Sequence, residues 1–214
     1  MTDEPLPRLR TPPVVADPAP HGSAGDPTAD NAFPQLIASA RAGDQDAFAA
    51  LYRDLHPRLL RYASVLVGQD AEDVVADAWL QIARDLERFD GDLLQFRAWT
   101  ARIVRNRAID HVRAQARRPQ RAAGLDAVAD RPSPDDTAES AADAISTSAA
   151  ISLIASLPRN QAEAVLLRAV VGLDPAGAGK VLGKRPGAVR VAAHRGLRAL
   201  EEQLRRSDAR GERS

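Results

Sequence analysis

Apolar side chains return at helical spacing through most of the chain. Phe48, Leu51, Tyr52, Leu55, Leu59, Tyr62 and Leu66 follow the i, i+3, i+4, i+7 pattern, which predicts a helix broken or kinked at Pro57. A second stripe after Gly68 takes in Val74, Val75, Ala78, Trp79, Ile82, Ala83 and Leu86. Phe89-Asp90-Gly91-Asp92 reads as a turn. A third helix then starts near Phe96, buries Phe96, Trp99 and Ile103, and stops at Arg117-Arg118-Pro119. The pattern resumes with Ile151, Ile154 and Leu157. After Pro158 come Ala162, Val165, Leu166, Ala169 and Val170, with Asn160 and Glu163 at capping-box spacing. Asp174-Pro175 has the form of an N-cap followed by proline at the first helical position, and that short helix closes on Val181-Leu182-Gly183. Pro186 opens the last helix, which carries Ala193, Leu197, Leu200 and Leu204 on one face.

These elements predict an all-α protein: two small helical domains joined by a flexible acidic linker, the C-terminal one a helix-turn-helix. The first domain spans 33–118 and the second 148–207. Residues 1–32 are rich in Pro, Gly, Asp and Ala and have few large apolar groups to offset ordering entropy, so they read as a disordered extension. The stretch 119–147 has no apolar periodicity before Ala144 and reads as a linker, long enough to hold two domains tens of ångströms apart. Residues 208–214 form a charged tail.

Charge sharpens this picture through its distribution. The 214 residues balance to a net charge of zero. Yet 93–118 holds seven basic residues against one acidic, and 148–214 twelve against six, while 119–147 holds two against six. Two basic blocks divided by an acidic spacer suit two nucleic-acid contacts. With no cysteine, disulfides and zinc sites that need Cys are excluded. The four histidines lack metal-ligand spacing, and no metal or other cofactor is expected. No apolar run approaches membrane-spanning length and the N-terminus lacks a signal-peptide core, which predicts a cytoplasmic protein with no membrane insertion.

The candidate chemistry lies on three helix faces. On the last helix, Arg190, His194 and Arg198 fall opposite the apolar face, with Lys184 and Arg185 just before it and Arg195 alongside. As the second helix of a helix-turn-helix it would enter a major groove. On the third helix Arg102, Asn106, Ile109 and Arg113 share a face with Arg105 beside them. Glu72, Asp73, Asp77 and Gln81 make an acidic strip on the second helix, in part ordinary dipole chemistry at a helix N-terminus. Solvated surface is the competing reading of each face.

Two blocks of the chain resemble one family. The run FAALYRDLHPRLLRYASVLVGQDAEDVVADAWLQIARDLERFDGDLLQFRAWTARIVRNRAIDHVRAQARRP resembles the second conserved region of bacterial sigma factors of the extracytoplasmic-function type. LPRNQAEAVLLRAVVGLDPAGAGKVLGKRPGAVRVAAHRGLRALEEQL resembles their fourth region. The joint occurrence of AEDVV, FRAWTARIVRNRAIDHVR, LPRNQAEAVLLR and GAVR…HRGLRAL in the family's order carries the specificity.

The resemblance implies a non-enzymatic subunit that binds core RNA polymerase and promoter DNA and directs promoter recognition, melting and initiation. It places Glu72, Asp73, Asp77 and Gln81 at the polymerase clamp. It places Arg102, Arg105, Asn106, Arg113 and the loop with Asp90 and Gly91 at the minus-ten element. Lys184, Arg185, Arg190, His194, Arg195 and Arg198 fall at the minus-thirty-five element. Family members are often held by an anti-sigma protein wedged between the domains, which adds an anti-sigma partner to the expectations. The chain departs from the family pattern in three places. Gly177 and Gly179 stand where good helix formers are usual, Ala76-Asp77 where Gln-Glu is frequent, and Lys184-Arg185-Pro186 where a small or hydroxyl residue is typical. Two other classes compete. A two-domain helix-turn-helix repressor explains 157–204 but neither the basic third helix nor the acidic strip. A carboxylate-bundle metalloenzyme built on Glu72, Asp73 and Asp77 lacks the Glu-x-x-His pairs it needs.

Overall fold

Several helices begin at an identifiable local device. In this computed structural model, which describes residues 27–117 and 148–211, helix α1 (Pro27–Arg41) opens the chain. It starts six residues before the expected boundary at Phe33, and Phe33 and Ile37 are buried. Asp44 Oδ1 then accepts from the Asp46 and Ala47 amides at 2.9 and 3.2 Å and starts α2 (Gln45–Val67). The break expected at Pro57 is absent, and α2 runs through it. Leu51, Leu55, Leu59 and Tyr62 are buried on both sides of the proline, so tertiary packing keeps the helix continuous across the missing N–H.

Gly68, at φ 65° and ψ −128°, ends α2 in a conformation that L side chains rarely adopt. A 3₁₀ turn leads to α3 (Ala71–Asp85), a second one covers Leu86–Arg88, and α4 (Leu93–Arg117) follows. The α3 stripe is buried as expected except for Ala83, which faces solvent. A reciprocal capping box opens α4: Asp92 Oδ1 accepts from the Gln95 amide at 2.7 Å, and Gln95 Oε1 accepts from the Asp92 amide at 3.3 Å. Helices α2, α3 and α4 pack into a bundle with α1 against α2. An aromatic chain of Phe33, Phe96, Phe89 and Trp99 runs through its end, with centroids 5.1–5.7 Å apart.

The second block holds α5 (148–155), α6 (Arg159–Ala169), α7 (Pro175–Leu182) and α8 (Pro186–Gly211). The capping box expected from Asn160 and Glu163 does not form. Pro158 is the N-cap and makes no side-chain cap bond, so Asn160 already lies inside the helix. Asp174 does cap α7, accepting from the Gly177 amide at 2.7 Å. Gly183 closes it in the left-handed region at φ 65° and ψ 34°. Helix α8 continues past the tail boundary expected at 207.

Two apolar expectations on this block are corrected. On α8, Leu197 and Leu204 are 48% and 52% exposed, and the buried track is Val189, Ala193 and Gly196. The reason is the close approach of α6. A Cβ on Gly196 would stand 2.8 Å from Val165 Cγ2, so the helices meet at that glycine and turn the leucines outward. On α6, Ala169 is exposed, whereas every residue from Ala162 to Leu167 is buried. One-sided amphipathicity fails here because α6 is covered twice, by α8 and by α2 of the first bundle. The contacts α2–α6 and α4–α7 join both blocks around one continuous core. The linker assigned to 119–147 lies outside the described residues, as do residue 118 of the first domain and 1–26 of the expected extension.

Candidate nucleic-acid interface

The turn between α7 and α8 sets the angle of the last helix. Its geometry depends on Gly179, where a Cβ would lie 2.6 Å from the Lys184 carbonyl oxygen. The glycine that departs from the family pattern is therefore required by this turn. Beyond it, Lys184, Arg185, Arg190, His194, Arg195 and Arg198 are all exposed. Among the described residues none of the six enters an ion pair, unlike Arg205 and Arg206, which reach Glu201 and Glu202 at 3.8 and 3.4 Å. The segment 184–198 thus carries a solvent-facing row of unpaired Lys and Arg side chains, with His194 among them, whose donors can meet phosphates and base edges.

On α4, Arg102 and Asn106 are exposed, and Arg113 is exposed and 3.6 Å from Asp110. The Asp90–Gly91 loop rises from Phe89, which is buried against Phe96 and Trp99. Arg105 differs from its neighbours. Its side chain is only 22% exposed, and Nε donates to Glu163 Oε2 on α6 at 2.7 Å. Burial lowers its affinity for a proton, but the hydrogen bond and charge of Glu163 outweigh this and leave its pKa above the ordinary value. Glu163 also receives Arg159 Nε at 3.0 Å and the Tyr62 hydroxyl at 3.5 Å. Burial, then the charge of Glu163, pushes the Tyr62 phenol well above its usual range. The structure therefore brings together Arg105 from the minus-ten set and Lys184 from the minus-thirty-five set. Both line a cavity of about 270 Å³ with Arg159, Asn160, Glu163 and Leu182.

The acidic strip on α3 is divided. Glu72, Asp73 and Asp77 are exposed. Gln81 is half-buried, accepts from Arg107 Nε at 3.1 Å and donates to Asp85 at 3.4 Å, so its amide is engaged within the bundle. Leu80 stands beside Asp77 at 63% exposed, a residue the sequence reading passed over. The available signal was a leucine at i+3 from Asp77 and i+7 from Asp73, on the polar side of an otherwise regular stripe. Among the described residues no group of three or more His, Asp or Glu could hold a metal, and no helix is long and apolar enough to cross a membrane.

Comparison with known proteins agrees with this layout. Residues 51–118 match the family model for sigma-70 region 2, and 148–200 match that for sigma-70 region 4. The sigma factor ShbA of Streptomyces griseus is 35% identical over 183 residues, covering 78% of this chain and 94% of that protein. BldN of Streptomyces coelicolor is 32% identical over 174 residues, covering 79% of this chain but 65% of BldN, just under two thirds of its length. Among solved structures, CnrH bound to the cytosolic domain of CnrY superposes with a TM-score of 0.56 at 26% identity, covering 81% of this chain and 97% of that one. RpoE bound to the anti-sigma factor NepR from Bartonella quintana shares the fold, with a TM-score of 0.53 at 22% identity over 73% of this chain and 97% of that one. Carrying both conserved regions in order, and similar over nearly the whole of ShbA, the chain belongs to the extracytoplasmic-function group of the sigma-70 family.

Proposed function

We propose that this chain binds core RNA polymerase and directs it to promoters, where it recognises two elements and opens the DNA, with no catalytic step of its own. The observation that carries this reading is the presence of regions 2 and 4 on one chain, each with its own exposed charged face. Residues 33–118, extended back to Pro27 by α1, form the polymerase and minus-ten unit. Residues 119–147 connect it to the minus-thirty-five unit at 148–207.

Within the first unit, Asp73, Asp77 and Glu72 with Leu80 present an acidic, partly apolar patch to the polymerase, and Gln81 braces that helix from within. Arg102, Asn106 and Arg113 face the melted strand, together with Asp90 and Gly91 of the loop, and Arg105 joins them once released from Glu163. Arg190, His194, Arg195 and Arg198 read the duplex, with Lys184 and Arg185 on its phosphates. The work is cytoplasmic, and an inhibitory anti-sigma partner fits the same surfaces. CnrH, to which the chain is similar, was solved with the cytosolic domain of CnrY.

The test is reconstitution. Sequencing RNA after induced expression names the responding promoters, and core polymerase with the purified chain should start RNA synthesis at them. A chain that binds those promoters but only blocks transcription by other holoenzymes would be the helix-turn-helix repressor instead.

A further inference from the structure

Asp70 stands where an aspartate ordinarily caps a helix, one residue before α3, yet its carboxylate makes no cap hydrogen bond. It turns to α4 instead. Gln115 Nε2 donates to Asp70 Oδ2 at 2.8 Å, and His111 Nε2 lies 3.1 Å from the same oxygen. A carboxylate oxygen only accepts, so the imidazole N–H points at it. One turn back, Arg107 Nε donates to Gln81 Oε1 of α3 at 3.1 Å. Residues 107, 111 and 115, at i, i+4 and i+8, thus form a polar seam between α4 and the α3 side of the bundle.

The seam continues where apolar packing ends. Ala108 is the last buried residue of α4, and every residue from Val112 to Arg117 is exposed. Helix ends without a packed face fray in water, because most helical stability in proteins comes from packing. Among the described residues, the hydrogen bonds that tie 109–117 to another element both end on Asp70. Arg113 pairs within its own helix, with Asp110. Arg113 and Arg117 come two residues after His111 and Gln115, so they point about 200° round the helix from the tether. The carboxylate therefore holds the helix from behind without neutralising the cations in front. We propose that Asp70 is a positioning residue for promoter opening, ordering the last turns of α4 so that Arg113 and Arg117 meet the DNA backbone in one fixed register. An end ordered only part of the time would bind more weakly by that fraction. The inference rests on the proposed function for the identity of the DNA; the brace itself is a property of the free chain.

Hydrogen exchange on the full-length free chain reads the brace, and permanganate footprinting of the holoenzyme on a responding promoter reads opening. Asp70→Ala should speed exchange of the 112–117 amides and leave capture of core polymerase unchanged. It should slow opening by about 2- to 10-fold, the range that a net hydrogen bond covers. In a chain already carrying Arg113→Ala and Arg117→Ala, the same change should slow opening no further, because Asp70 acts through those cations. Gln115→Glu sets two carboxylates together and should also slow opening. Adding Asp70→Asn to it should restore the native rate, the amide and the carboxylate having traded places. Gln115→Ala, at an exposed site outside the turn, decides the question if Asp70→Ala melts early. Native exchange in a well-folded Asp70→Ala or Gln115→Ala chain would overturn the brace. Faster exchange with native opening, an undiminished effect without the two arginines, or no restoration by the exchanged pair would overturn the positioning role. A native holoenzyme that opens no promoter would instead overturn the sigma reading and leave the exchange result standing.

Discussion

Gly179 shows local propensity and tertiary geometry with opposite signs. Helix propensity alone says that Gly179→Ala should stabilise α7 by about 1 kcal/mol. The Lys184 carbonyl oxygen, 2.6 Å from the new Cβ, is backbone held in the turn and cannot swing away. Gly179→Ala should therefore destabilise the chain by about 1–3 kcal/mol in urea unfolding, the cost of overpacking. On α8, Arg190→Ala should lose about 1–3 kcal/mol of preference for the native minus-thirty-five element over a scrambled one in competition binding. Arg206→Ala, already paired with Glu202, should only soften the salt dependence. His56 gives a pH effect. Partial burial lowers its pKa below 6.5 despite the charge of Glu72, and its Nδ1 is buried without a partner. Below 6.5 the unfolded chain takes up a proton that the folded chain refuses, so stability falls with pH from 6.5 down to the folded value and is flat above. His56→Gln should flatten that slope in melting temperatures recorded across the window.

At the scale of elements, α3 and α4 lie side by side in one bundle and present charges of opposite sign. Exposed charges on a solvated surface contribute about 0–1 kcal/mol, so reversing them would matter little if they had no partner. Reversing Asp73 and Asp77 to Lys should weaken capture of core polymerase while leaving minus-thirty-five binding intact. Replacing Arg102 and Asn106 with Ala should spare capture and slow promoter opening, seen as less permanganate-reactive thymine. A pre-melted template should rescue the second pair, since its unpairing cost is already met, and not the first.

For the molecule as a whole, the continuous core across both blocks is what the contacts α2–α6 and α4–α7 produce. Cutting the chain at a protease site engineered between Gln120 and Ala144 should leave two fragments that still co-elute in gel filtration. Adding Glu163→Gln should make them separate already at higher protein concentration, because one partner of a buried pair has been removed.

Most of the helices, and the Asp174 and Gly183 ends of α7, were legible in the sequence because they depend on neighbours within one or two turns. The same short range made the α3 and α8 faces readable, since a 3.6-residue period places their charges without reference to anything else. What the periodicity could not supply was the second covering of α6. Its partners sit far along the chain, Arg105 at a separation of 58 residues and Tyr62 at 101. Glu163 therefore looked like a capping residue by spacing, and Arg105 like one more cation on a DNA face. Leu197 and Leu204 were turned outward by a glycine contact between α6 and α8, and α2 continues through Pro57 because its neighbours bury both sides. The sequence by itself determined which helices form and which charges they show to solvent. Only the tertiary structure decided which of those charges meet each other, because a buried ion pair is set by the approach of two helices and not by the period of either.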